Sequence, residues 1–239
     1  MRFALVSDIH GNLPALEAVA ADIRSQSVDA VINLGDSLSG PLLPRQTAQF
    51  LMAADWLHVA GNHDRQILEL GTDSAESDRF AYGELGADEL GWLATLPSTC
   101  EVEPDVLACH GTPHSDVTCL LEEAERPASA AKVSARLADI RAAVILCGHS
   151  HVPRSVRSFG RLVVNPGSVG QPAYADDHPH PHVIESGSPD ARYALLEQRA
   201  GVWRASLISV PYASEEMASL AASRGRPDWA AALRTGYVS

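Results

Sequence analysis

The sequence has no Cys-x-x-Cys pair, and its four cysteines, Cys100, Cys109, Cys119 and Cys147, stand singly. That spacing argues against a thiolate zinc ribbon or a disulfide-stapled secreted scaffold, so reduced, mostly buried thiols and a cytoplasmic protein are expected. Long apolar runs are missing as well. The segment Met1-Arg2-Phe3-Ala4-Leu5-Val6 reaches Ser7-Asp8 too early for a signal peptide or a membrane span, and no membrane partner is expected. Basic charge is scarce: 18 Lys and Arg face 30 Asp and Glu, a net charge of −12. Proteins that grip long nucleic acids need a cationic face to displace condensed counter-ions, and this composition supplies none. There is no repeat, low-complexity tract or linker. The 239 residues suit a single domain spanning 1–239, with 213–239 as a helical C-terminal extension.

What is present is a local pattern used five times. A short apolar run ends at once on a polar residue able to bind a metal. Phe3–Val6 leads to Asp8 and His10, Ala30–Leu34 to Gly35-Asp36, and Trp56–Ala60 to Gly61-Asn62-His63-Asp64. Val106–Cys109 leads to His110, and Ala143–Cys147 to Gly148-His149-Ser150-His151. Apolar runs of that length without polar alternation read as strands buried on both faces.

Helices are expected between them. Leu16, Val19, Ala20 and Ile23 share one face behind Asn12 as N-cap and Pro14 in the first turn. Others are expected over about 44–54, 86–95 and 129–140, with loops or short helices over 70–85 and 114–128. After His151 the pattern changes to hairpins around Gly160 and Gly201, suggesting a second sheet of antiparallel pairs stacked on the first. The tail from Ser214 to Thr235 reads as two helices broken near Gly225-Arg226-Pro227, with core packing as the default for its apolar face.

In open α/β sheets, ligands collect beyond the carboxyl ends of strands. If these strands are neighbours, Asp8, His10, Asp36, Asn62, His110, His149 and His151 converge. Oxygen and imidazole donors suit Mn, Fe, Zn, Ni or Co. Seven are too many for one tetrahedral ion and fit two divalent ions per chain, with Mn favoured. Two such ions bring +4 against −2 from Asp8 and Asp36. The site would then attract phosphate within an acidic protein and activate a bridging water.

In this order, the Asp8-Ile9-His10, Gly35-Asp36, Gly61-Asn62-His63-Asp64, His110 and Gly148-His149-Ser150-His151 motifs resemble the calcineurin-like metallophosphoesterase superfamily. Asn165-Pro166-Gly167-Ser168-Val169-Gly170-Gln171-Pro172 is similar to its bacterial phosphodiesterase branch. The resemblance implies an α/β fold: a four-layer α-β-β-α sandwich of two mixed sheets flanked by helices. It also implies that Asp8, His10 and His151 hold one metal and Asn62, His110 and His149 the other, bridged by Asp36. His63 would be the catalytic residue at the leaving oxygen, and Asn12 and Arg65 are candidate substrate contacts.

One departure matters. Protein phosphatases of this superfamily read GDxxDRG, whereas this chain reads Gly35-Asp36-Ser37-Leu38-Ser39-Gly40, without the aspartate that orients the catalytic histidine. Whether Asp64 or another group orients His63 is open at this stage. The expected activity is hydrolysis of a small phosphodiester by a metal-bridging hydroxide. Phosphomonoesters or nucleotide pyrophosphates are the alternatives, and a non-catalytic binding module on the same fold is the rival class. A homo-oligomer is compatible with the tail. His58 reads as structural and Asp176–His182 as a surface loop, while His114 is either a substrate contact or a polar loop residue.

Overall fold

The computed structural model describes residues 1–123, 126–177 and 181–239. Strand β1 (Arg2–Val6) accounts for the apolar runs. Phe3 and Leu5 enter one core, and Ala4 and Val6 enter another on the opposite face. A strand dry on both sides has no position for a polar residue, hence the unbroken run. Helix α1 (Leu13–Arg24) buries Leu16, Val19, Ala20 and Ile23 against the second of those cores, and the Asn12 side chain caps its start.

The chain continues through β2 (Ala30–Asn33), α2 (Pro44–Ala53), β3 (Leu57–His58), α3 (Asn62–Leu68), α4 (Glu76–Glu84) and α5 (Ala87–Leu93). Next come β4 (Thr99–Glu103), β5 (Val106–Cys109), the two-residue strands β6 (Glu122–Glu123) and β7 (Arg126–Pro127), α6 (Ala130–Arg136) and β8 (Val144–Leu146). The last third holds β9 (Arg154–Ser158), β10 (Arg161–Asn165), β11 (Ala173–Asp176), β12 (His182–Glu185), β13 (Ala191–Arg199), β14 (Val202–Val210), α7 (Ser214–Ser223) and α8 (Pro227–Thr235). Gly236 ends α8 at φ 75°, a left-handed cap that favours glycine.

Two five-stranded mixed sheets form, ordered β14-β13-β1-β2-β3 and β4-β5-β8-β10-β9. Phe3, Leu5, Ile32, Val106, Val144, Leu146, Leu162 and Leu196 meet between them. Helix α1 covers the outer face of the first sheet, and α6 covers Ile145, Cys147 and Val163 on the outer face of the second. This is the four-layer α-β-β-α arrangement.

The C-terminal hairpins do not build a sheet of their own, contrary to the sequence expectation. β13 pairs antiparallel with β1 in the first sheet, and β10 pairs parallel with β8 in the second. Each hairpin thus extends a buried parallel strand whose free edge would otherwise leave backbone groups unpaired. Nor do the five donor-bearing runs share one sheet: β1, β2 and β3 lie in the first, and β5 and β8 in the second. Around the histidine-rich stretch, β11 and β12 pair antiparallel from Asp176↔His182 outward. Its ends are therefore strands, while 178–180 lie outside the described residues. Among the described residues, no helix is long and apolar enough to cross a membrane.

Candidate metal centre

The parallel strands of both sheets end on one side of the sandwich, and the turns that leave them carry the predicted donors. Five of the seven sit at positive φ: Asp8 at 55°, His10 at 53°, Asp36 at 54°, His149 at 68° and His151 at 56°. Each such residue costs roughly 1–2 kcal/mol relative to ordinary backbone. Strain of this kind persists only where the surroundings hold it, and it gathers at functional sites.

The surroundings here are specific. The Asp8 amide donates to Gly35 O (2.9 Å) and the His10 amide to Asp36 O (3.0 Å), joining the first two turns. Asp64 joins the second and third. Its carboxylate accepts from the amides of Asp36 (2.8 Å), Ser37 (3.0 Å) and Gly61 (2.9 Å). A side chain at Gly61 would run into the Asp36 carboxylate, so only glycine permits this approach. The Asn165–Gln171 segment stitches the turn after β1 to the turn after β8. Asn165 Nδ2 donates to Gly148 O (2.7 Å), Ser168 Oγ to Asp8 O (2.8 Å), and the Val169 amide to Ser7 O (3.0 Å).

The result is two clusters whose donor atoms lie within 4.8 Å of one another, Asp8/His10/His151 and Asp36/His110/His149. Three of the imidazoles are oriented from behind. His10 Nδ1 donates to Ser39 O (2.8 Å), His110 Nδ1 to Leu34 O (2.7 Å) and His151 Nδ1 to Gln171 O (2.8 Å). A carbonyl can only accept, so Nδ1 carries a proton in each ring and Nε2 is the nitrogen turned inward, free to ligate wherever it is not itself protonated.

His10 Nε2 and His151 Nε2 then face each other at 3.1 Å. Two lone pairs at that distance repel, and a shared cation turns the repulsion into ligation. Asn62 Oδ1 is also buried without a hydrogen-bond partner, and Asp8 Oδ1 and His110 Nε2 meet only other members of the clusters, His151 Nε2 at 3.3 Å and Asp36 Oδ2 at 3.1 Å. Asn62 Nδ2 donates to Gln66 Oε1 (3.3 Å), which leaves Oδ1 facing the site. Orphaned polar atoms are costly in a protein interior, and here they are gathered around the two clusters. The donor set fits a pair of divalent cations.

With no cation bound, protons and charges substitute for one. Burial opposes the charged form of His110, but Asp36 Oδ2 at 3.1 Å, with Asp8 behind it, holds its pKa up to about 10. Burial likewise pushes Asp36 toward neutrality, and His110 and His63 outweigh it, leaving the carboxyl well below its usual range. His10 and His149 go the other way. Burial and neighbouring imidazoles lower them to about 3 and about 4.

His63 lies at the start of α3 beside this group, its amide donating to Asp36 Oδ1 (2.9 Å) and its ring 5.7 Å from that of His10. Asp64, the nearest candidate in sequence, is spent on backbone amides. The ring pairs instead with Asp78 of α4, Nδ1 to Oδ1 at 2.8 Å, and the Asp78 side chain is only 2% exposed. The sequence pattern gave no signal for Asp78, because the contact spans two helices and belongs to no local motif.

The remaining candidates are placed differently. Asn12 is fully buried. Its Oδ1 accepts from the Ala15 amide (3.3 Å), and Nδ2 donates to Gly170 O and Tyr212 Oη (both 2.9 Å), so no group of its amide is left for a substrate. Arg65 makes a two-pronged pair with Asp116 (2.7 and 3.2 Å) and a third bond to Glu69, which occupy three of its five N–H donors at the rim. His114 pairs with Asp139 at the surface. His58 packs edge-on against Trp92 with its Nδ1 toward Asn33 (3.3 Å), a structural position. Trp229 of α8 carries no sequence signal as a site residue, since it reads as part of the tail's apolar face, yet its ring lies edge-on to His10 at 5.9 Å.

The chain is 26% identical to an uncharacterized protein of Methanocaldococcus jannaschii over 255 residues, covering 95% of this chain and 94% of that one. A metallophosphoesterase from Sphaerobacter thermophilus superposes with a TM-score of 0.77 at 25% identity, covering 98% of each chain. A hypothetical protein from Pyrococcus horikoshii has the same fold, with a TM-score of 0.76 at 17% identity, over 100% of this chain and 99% of that one. The sequence model of the calcineurin-like phosphoesterase superfamily domain matches residues 1–185, which contain every candidate donor and His63, and the chain belongs to that superfamily.

Proposed function

We propose that this phosphoesterase-family chain is a dimetal-dependent phosphodiesterase acting on a small phosphorylated substrate. The observation that carries the reading is the inward set of buried donors that meet only one another: Asp8 Oδ1, Asn62 Oδ1, His110 Nε2 and the opposed His10 and His151 nitrogens. Asp8, His10 and His151 would hold one cation and Asn62, His110 and His149 the other, with Asp36 between them; the all-oxygen-and-nitrogen set suits Mn, Fe, Zn, Ni or Co, and Mn is the ion proposed. When bound, two divalent cations supply the Lewis acidity that holds phosphate and lowers the pKa of water.

The protein's own groups do the rest. Asp64 and the Asn165–Gln171 segment keep the donor-bearing turns in place before anything binds. His63 protonates the leaving oxygen, its ring held by Asp78 through Nδ1 at 2.8 Å. In the metal-free chain burial would lower its pKa, yet Asp36 and Asp78 raise it to about 9. The preference for diesters rests on the absent GDxxDRG signature and on the Asn165–Pro172 likeness.

The test is turnover of bis-p-nitrophenyl phosphate against p-nitrophenyl phosphate with Mn, Fe, Zn, Ni and Co in turn. Faster diester cleavage is expected with Mn. A faster monoester would overturn the diester preference, and no turnover of either with any of the five metals would favour a binding module.

A further inference from the structure

We propose that Asp78 is the positioning residue of His63, and that the C-terminal helices keep it there by gripping α4 from outside. The inference builds on the role given to His63 above. In this chain Ser39 stands where the protein-phosphatase signature has its orienting aspartate. Ser39 contributes only its carbonyl, to His10 Nδ1. The carboxylate facing His63 Nδ1 arrives from a different helix, 15 residues beyond the histidine. It accepts the Nδ1 proton and so fixes one tautomer and one ring angle, leaving Nε2 on the opposite edge of the ring to donate. Nε2 gives its proton to the leaving oxygen as the oxygen–phosphorus bond breaks.

Asp78 can do this only if α4 is held in place. One face of α4 is ordinary core: Ala81 is fully buried among Leu38, Ala48, Ile67 and Leu85. The adjacent face, Ser77 and Phe80, is held by the tail. Arg226, the residue before α8, donates through Nη1 to Ser77 Oγ (3.0 Å), while Asp228 pins the rest of its guanidinium (3.0 and 2.6 Å). Arg224, the residue after α7, lays its guanidinium over the Phe80 ring at 4.8 Å and bonds the Pro41 and Leu42 carbonyls. The turn between α7 and α8 thus ties α4 to the segment that follows Asp36. The two arginines flank Asp78 by one residue on one side and two on the other, so loosening them moves the carboxylate before it unfolds the core.

The experiment compares bis-p-nitrophenyl phosphate with diphenyl phosphate, two diesters of equal charge whose leaving groups differ in their need for a proton. Asp78→Asn should lower kcat about 10- to 100-fold on the phenyl ester and far less on the nitrophenyl ester, the pattern of weakened acid catalysis. KM and bound metal should not change. Arg226→Ala and Arg224→Ala should give the same leaving-group pattern at about 3- to 10-fold. An equal loss on both esters, or loss of metal, would overturn the role of Asp78. A normal leaving-group pattern in both arginine variants would overturn the grip.

A second measurement needs no turnover. In the metal-free protein, the His63 Nδ1 proton should appear as a downfield, exchange-protected NMR signal, assigned by its loss in His63→Ala. It should vanish in Asp78→Ala while the other oriented imidazoles keep theirs; its persistence there would sink the proposal. If wild type cleaves no ester at all, the phosphodiesterase reading fails, and the proton signal still decides whether Asp78 positions His63.

Discussion

One wall of the cleft is made of turns that leave strand ends, most of its donors at positive φ; the other is made of regular helices, α3, α4 and α8, of which α3 adds the single donor Asn62. In the first wall, donors are close in sequence to the strands that deliver them, and strain is balanced by carbonyl and carboxylate contacts across both sheets. In the second, His63 is met by Asp78 from one helix and His10 by Trp229 from another. The contrast separates two tasks. Holding cations requires many atoms fixed within a few tenths of an ångström, which strained turns locked by backbone bonds achieve. Directing one proton requires a single carboxylate, which a helix can supply from anywhere that packing brings it.

Substitutions should divide along the same line. The largest effect belongs to the strained wall: Asp36→Asn should lower kcat by about 10⁴-fold, equivalent to about 5 kcal/mol, and reduce bound metal measured by elemental analysis. His63→Ala should cost about 10²- to 10³-fold in rate with metal content intact. If it also lost metal, the two walls would not be separate. Gly61→Ala drives a methyl group into the Asp36 carboxylate and should weaken metal binding by about 10- to 100-fold in calorimetric titration. Trp229→Ala removes a ring that is only 4% exposed and should destabilise the fold by about 3–5 kcal/mol in urea unfolding. Metal stoichiometry should remain unchanged, since that ring offers no ligand; metal loss would tie α8 to the strained wall instead.

The smallest effect is a slope with pH. In the metal-free chain, His63 and His110 are raised from 6.5 to about 9 and about 10, since Asp36 and its neighbouring carboxylates outweigh burial. The folded state therefore holds protons that the unfolded chain has already released. That stabilisation is complete below pH 6.5 and is lost as pH rises toward 9–10. Unfolding at pH 6, 8 and 10 should show the decline, and metal should flatten it, because His110 then binds a cation in place of its proton. An equal slope with and without metal would place His110 outside the cation site.

The strained wall was legible in the sequence because each of its donors follows a buried strand within a few residues. A strand dry on both faces leaves its pattern in the composition, and the polar residue after it stands out. Helices near 44–54 and 129–140 and the break before Pro227 were legible for the same local reason. The assignment of the hairpins around Gly160 and Gly201 to different sheets was not, because hairpin formation is local and the choice of a parallel partner is not. Arg65 is a similar case. Its position after Asn62-His63-Asp64 suggests a phosphate contact, and the two-pronged pairing with Asp116, 51 residues away, is not visible along the chain.

By itself, the sequence determined the donor types, their order and the strands that present them, since period and composition are properties of neighbours along the chain. Tertiary structure alone decided that both sheets would aim those strand ends at one cleft. It also decided that Asp78 would face His63, and that Arg224 and Arg226 would hold its helix. Those contacts join residues 15 to about 180 positions apart, and only the packing of apolar faces, which carries no label for the polar atoms it brings together, sets which of them meet.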